Sequence, residues 1–149
     1  MERYLYRGVN PELYQASNGK MIPKSIGRQF RRPVHYGEGG CYGEGLKYGE
    51  SETNAVIMHQ KDSSKYPTSG VSTTPIYENA RSYATHNGKY DSGYVYKIDT
   101  ELLEKNGVKS YSVSEHALYP AIPGDREVIL VADKFGALPD EIIVEIIKV

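Results

Sequence analysis

The chain has 149 residues, 39% of them apolar, with 18 basic and 19 acidic side chains. That length holds one compact domain with a real core and is short for two full domains. The near-neutral balance excludes a global field drawing the chain to nucleic acid or anionic lipid. No run of about 18 apolar residues is present to span a bilayer. The single Cys41 excludes an internal disulfide, and the spacing of His35, His59, His86 and His116 fits no metal site, so no metal is expected. Fourteen tyrosines stand against two phenylalanines, and six of the 15 glycines crowd residues 37–49, a bias towards β-rich structure.

The opening "MERYLYRGV" lacks a signal-peptide layout and starts almost at once on a strand pattern, as expected of a domain cut from a longer protein. Residues 3–7 alternate, with Arg3, Leu5 and Arg7 on one strand face and Tyr4 and Tyr6 on the other. Asn10-Pro11 reads as an N-cap followed by proline at the first helical position, and Asn18-Gly19 closes that helix. Residues 20–50 show no periodicity. Arg28, Arg31 and Arg32 precede "HYGEGGCYGEGLKYGE", and the whole stretch is expected to be one long loop, functional or disordered, without regular elements. Residues 51–61 are expected to be helical.

From Gly70 the pattern sharpens. "GVSTT" (70–74) predicts a short extended piece, with Thr74 as N-cap and Pro75 opening a helix. Ile76, Ala80, Tyr83 and Ala84 then fall on one helical face, and Gly88 stops it. "YVYKI" (94–98) and "VKSYSV" (108–113) predict strands around a short helix at 100–107. "EVILVA" (127–132) and "IIVEIIKV" (142–149) are the two most hydrophobic strands, joined through Gly136 and Pro139. Roughly five to seven strands with two to four short helices predict a single α+β domain over 1–149 with a mainly β core.

Several chemistries are excluded by missing motifs. There is no P-loop, no strand–Gly-rich turn–helix for a dinucleotide, no H-E-x-x-H and no G-x-S-x-G. Three separated pieces remain: "LYRGV" (5–9) on the first strand, "GVSTT" (70–74) before a helix, and "PGDREVILVA" (123–132) entering a strand. In this order they resemble the mono-ADP-ribosyltransferase toxins of the cholera-toxin-like, Arg–Ser–Glu type. Gly70 to Val149 also resembles the ADP-ribosyltransferase domains that end bacterial polymorphic, Rhs-like toxins.

The resemblance implies a split β-sandwich with short peripheral helices and NAD as the substrate. It assigns Glu127 as the carboxylate that bonds the ribose 2′-hydroxyl and stabilises the developing positive charge, as glycoside cleavage requires. Arg7 is assigned to NAD phosphate, a task suited to a planar guanidinium fork. Gly8 is assigned to close backbone approach near nicotinamide. Ser72 orients Glu127, Thr73 fixes the extended piece, and Tyr83 on the inward helix face stacks on nicotinamide. Asp125, two residues before Glu127, occupies the position that selects and activates the acceptor. There the family has Glu or Gln, so the acceptor class stays open. Loop 114–125, with Tyr119, is the acceptor-recognition segment.

Plainer roles stand beside four of these positions. Glu127 is then a strand-start acid, Arg7 the partner of a nearby acid, Thr74 a plain cap and Tyr83 ordinary core. The resemblance further implies a macromolecular acceptor, protein or RNA, and a cognate immunity protein. It implies delivery from a bacterial producer cell within a larger secreted protein, action in the target-cell cytoplasm, and no membrane insertion by this domain. Two other readings remain open: a non-enzymatic β-rich binding module using loop 36–50, and an RNA 2′-phosphotransferase-like activity on the same fold. The latter expects a histidine where Ser72 stands.

Overall fold

The computed structural model describes residues 2–27, 30, 32–34, 49–51, 55, 68–86, 88–113 and 126–149. The fold is α+β, as the sequence predicts. Its centre is a pair of three-stranded antiparallel sheets. In the first, β1 (Tyr4–Val9), β5 (Tyr94–Asp99) and β8 (Ile143–Lys148) lie in the order β1-β5-β8. In the second, β4 (Val71–Thr73), β7 (Val128–Ala132) and β6 (Val108–Ser112) lie in the order β4-β7-β6. The sheets are stitched where Tyr6 and Thr74 exchange backbone hydrogen bonds of 2.7 and 2.9 Å.

Strand alternation decides what each sheet buries. Leu5, Val9, Tyr96 and Ile98 of the first sheet meet Val71, Val128, Leu130 and Ala132 of the second, forming the inner core. The opposite face of β7 sends Ile129 and Val131 against Phe30, Tyr111 and Val113. Burial on both sides explains why residues 128–132 read as an unbroken apolar run. β8 is equally apolar in sequence yet lies at a sheet edge, with Val144 and Ile146 exposed.

Helix α1 (Pro11–Ala16) starts as predicted: the Asn10 side chain accepts from the Leu13 N–H at 2.7 Å, and Pro11 occupies the first turn. Asn18 and Gly19 follow with positive φ. Helix α2 (Tyr77–Ala84) covers the outer face of the first sheet, where Ala80 and Ala84 pack with Tyr6 and Val95. Residues 100–107 form two 3-10 turns, Thr100–Leu102 and Glu104–Asn106, ending at left-handed Gly107.

Two expectations need correcting. The stretch 20–50 is not without regular structure: β2 (Arg32–Val34) pairs with β3 (Gly49–Ser51), and Met21 and Phe30 are core residues. Strands of three residues are too short to leave a readable alternation. Helix α2 begins at Tyr77 rather than Pro75, and Ile76 holds its N-cap position. The helix expected at 51–61 lies outside the described residues apart from Ser51, which closes β3, and Ala55, which is helical and buried.

Candidate active site

The three pieces singled out in the sequence converge where the two sheets are joined. Ser72 pairs with Ile129 across β4 and β7, and Glu127 stands two residues before Ile129. By alternation Ser72 and Glu127 share one face as diagonal neighbours. The Ser72 hydroxyl donates to Glu127 Oε2 at 2.6 Å. That length is typical of a hydroxyl bound to an ionised carboxylate. The Glu127 main chain is held as well, its carbonyl accepting from the Val113 N–H at 3.0 Å.

Arg7 reaches the same point from the other sheet. It lies on the inner face of β1 between buried Leu5 and Val9, opposite Tyr96 of β5. Its guanidinium donates to the Ser72 carbonyl at 3.0 Å, bonding the edge strand β4. Burial pulls the guanidinium below its ordinary pKa, while the Tyr96 hydroxyl and the Glu127 carboxylate act in the opposite direction. Arginine stays cationic at neutral pH through such a shift, so a half-buried positive charge sits within the field of Glu127. Tyr96 is fully buried, and burial first, then Tyr14, pushes its hydroxyl up, against the lowering effect of Ser17 and Arg7.

The three consecutive hydroxyls at residues 72–74 have three separate jobs. Ser72 bonds the carboxylate. Buried Thr73 donates to the Val128 carbonyl at 2.7 Å, locking β4 to β7. Thr74 accepts from the Ile76 N–H at 3.1 Å, turning the chain three residues ahead of α2, and its backbone makes the bridge to Tyr6.

One assigned residue sits otherwise than the sequence reading placed it, and another has a packing role that the reading did not name. Tyr83 does not face inward but is 47% exposed. The buried stripe of α2 is narrow because only Ala80 and Ala84 fully meet the sheet, and successive residues turn by about 100°. Gly8 lies on the opposite face of β1 from Arg7. A Cβ there would run into the Ala80 carbonyl, so glycine is required by the approach of α2. Asp125, Tyr119, the rest of loop 114–125 and loop residues 36–48 lie outside the described residues.

One neighbour escaped the sequence reading. Arg126, directly before Glu127, has φ +50° and pairs with Glu2 at 3.2 Å. The dipeptide itself carries no signal of left-handed backbone. Among the described residues no group of three or more His, Cys, Asp or Glu could hold a metal ion, and no helix is long and apolar enough to cross a membrane. A groove of about 370 Å³ between α1 and β8, lined by Tyr14, Lys20, Asp140 and Ile146, contains none of Arg7, Ser72 and Glu127.

An arginine on β1, a serine on β4 and a glutamate at the mouth of β7 thus meet where the two antiparallel sheets join. The NarE family model matches residues 4–130, most of the chain, and all three residues fall within that match. The chain belongs to the NarE family, which is ADP-ribosyltransferase-like and implies NAD as the substrate. No protein of curated function matches the chain.

Proposed function

We propose that this chain is a mono-ADP-ribosyltransferase that cleaves NAD and transfers ADP-ribose to a macromolecular acceptor, releasing nicotinamide. The observation that carries this reading is the 2.6 Å Ser72–Glu127 bond, made on a strand whose Ser72 carbonyl is held by Arg7. A carboxylate has about four acceptor positions, so the Ser72 bond orients Glu127 without exhausting it for a ribose 2′-hydroxyl. A guanidinium has about five N–H donors, and the one given to Ser72 leaves a fork suited to phosphate.

In the proposed reaction the bond between ribose C1′ and the nicotinamide nitrogen breaks. Its electron pair leaves with nicotinamide and neutralises the pyridinium. Positive charge then develops on the ribose, where the Glu127 carboxylate stabilises it, as in glycoside cleavage. An acceptor nucleophile bonds C1′, and its proton passes to a base, for which Asp125 is the candidate. The reading extends to biology: a toxin domain of a larger protein delivered from a bacterial producer, acting in the target-cell cytoplasm on a protein or RNA and blocked by a cognate immunity protein.

The test is a target-cell lysate labelled with tagged NAD by the wild type and by Glu127→Ala. Loss of preorganised charge stabilisation corresponds to a rate loss of roughly 10²–10³. Label removed by protease marks a protein acceptor, and label removed by nuclease an RNA. Absence of both transfer and NAD hydrolysis in the wild type would sink the proposal.

A further inference from the structure

We propose that Arg126 is a positioning residue, whose left-handed backbone sets the entry into β7 and so holds Glu127 against Ser72. This rests on the reading of Glu127 as the acting carboxylate.

Four non-glycine residues in the described chain have positive φ: Asn18, His86, Phe135 and Arg126. The first three belong to turns, each with its N–H bonded to the carbonyl three residues back. Two of those turns follow α1 and α2, and the third follows β7. Arg126 instead stands at the one place where a carboxylate must be aimed. A left-handed non-glycine residue carries a steric cost, and it persists only where its surroundings over-determine it.

Those surroundings are visible on both sides. After Arg126, the Glu127 carbonyl joins the β6–β7 ladder through the Val113 N–H, and Val128 enters paired to both Thr73 and Ser112. On the other side, Ser72 bonds the Glu127 side chain and the Thr74 backbone pairs with Tyr6. Arg126, immediately before Glu127, gives the chain its direction into this frame. Its side chain turns to Glu2, two residues before β1, and links the mouth of β7 to the strand that bears Arg7. The site-bearing strands are thus joined pairwise: β1 to β4 by Arg7 and Tyr6, β4 to β7 by Ser72, and β7 to the start of β1 by Arg126. The Arg126–Glu2 pair is exposed on both sides and contributes little by itself. The backbone conformation is what positions the carboxylate.

Three substitutions separate these contributions. Arg126→Gly keeps the left-handed conformation and loses the ion pair, Arg126→Val is driven towards extended backbone, and Glu2→Gln removes the ion pair alone. With NAD hydrolysis as the assay, Arg126→Val lowers kcat roughly 5- to 30-fold with KM within about twofold. Arg126→Gly and Glu2→Gln stay within about threefold of wild type. Arg126→Ala takes the place of the valine variant if thermal unfolding shows the latter misfolded. Wild-type kcat in Arg126→Val, or equal losses in the valine and glycine or the valine and Glu2 variants, would overturn the proposal. If the wild type does not cleave NAD, the reading of the activity fails separately, and the carboxyl 13C shift of Glu127 decides. It matches Ser72→Ala in the valine variant and wild type in the glycine variant if Arg126 positions the carboxylate; wild-type shifts in both overturn it.

Discussion

Replacing Ser72 by alanine removes one oxygen atom and isolates the central contact of the site. The hydroxyl donates to Glu127 Oε2 at 2.6 Å, a bond to a charged acceptor, and such bonds contribute about 1.5–3 kcal/mol. The part that strengthens as charge develops on the ribose appears in kcat, so the expected loss is roughly 10- to 150-fold. Stability should change little, because the Ser72–Ile129 pairing, the Thr73–Val128 bond and the Arg7 bond to the Ser72 carbonyl do not involve the hydroxyl. Thr74→Ala is the matched control. It deletes the acceptor for the Ile76 N–H, a capping-type contact whose loss costs about 1 kcal/mol. In a chain of this size that shifts the unfolding midpoint by about 2–4 °C, with kcat within about threefold of wild type. Single-turnover NAD cleavage and thermal unfolding on the two variants make the comparison. A Ser72→Ala variant with wild-type kcat, or two variants that lose only stability, would refute the division of labour along β4.

Other outcomes follow from the same geometry. Arg7→Lys keeps a cation but loses the planar fork that bonds the Ser72 carbonyl; NAD binding followed by calorimetry should weaken, with a rise in KM exceeding the fall in kcat. Gly8→Ala puts a Cβ into the Ala80 carbonyl and the Ala84 N–H, so α2 must lift from the sheet, and urea unfolding should show a loss above about 3 kcal/mol. The Arg3 guanidinium, at 2.9 and 3.0 Å from the Asp99 carboxylate, holds that carboxyl below its ordinary range, assisted by the Glu101 N–H and opposed by burial. A depressed folded-state pKa gives stability that is present above the unfolded value, near 3.9, and lost as pH falls through the folded one. Urea midpoints measured from about pH 6 down to about pH 2 should therefore fall less steeply in Asp99→Asn than in wild type.

How much of this was legible beforehand depended on element length and on whether a face was buried. β1, β5, β6 and β7 were readable because at least five consecutive residues alternate, or run apolar, against packed neighbours. β2 and β3, at three residues each, left no period to read. Helix α2 was found but its face was drawn too wide. The pattern that includes Tyr83 is a fair helical stripe, yet the sheet below presents Gly8, and a helix lying against a glycine meets it with alanines alone. Gly8 itself was noticed as a position of close approach, and what approaches in the structure is the backbone of α2. The left-handed conformation of Arg126 had no signal, since arginine has no preference for it and the strands that Glu127 and Val128 join, β4 and β6, are distant in sequence.

Three adjacent hydroxyls answer to strand geometry rather than to helix capping. In an extended chain neighbours point to opposite faces, so one strand cannot aim two successive side chains at one carboxylate. Ser72 takes the face shared with Ile129 and Glu127, and Thr73 takes the buried inner face, where an unbonded hydroxyl would be costly and the Val128 carbonyl receives it. Thr74 falls where the strand leaves one sheet to meet the other. Its backbone must serve Tyr6 while its side chain receives the first N–H of the turn into α2. The first of the three hydroxyls bonds the acting carboxylate. The other two fix the rigid strand that keeps a 2.6 Å contact from drifting, and a carboxylate aimed from a fixed strand loses less free energy to reorganisation when charge develops than one aimed from a loop.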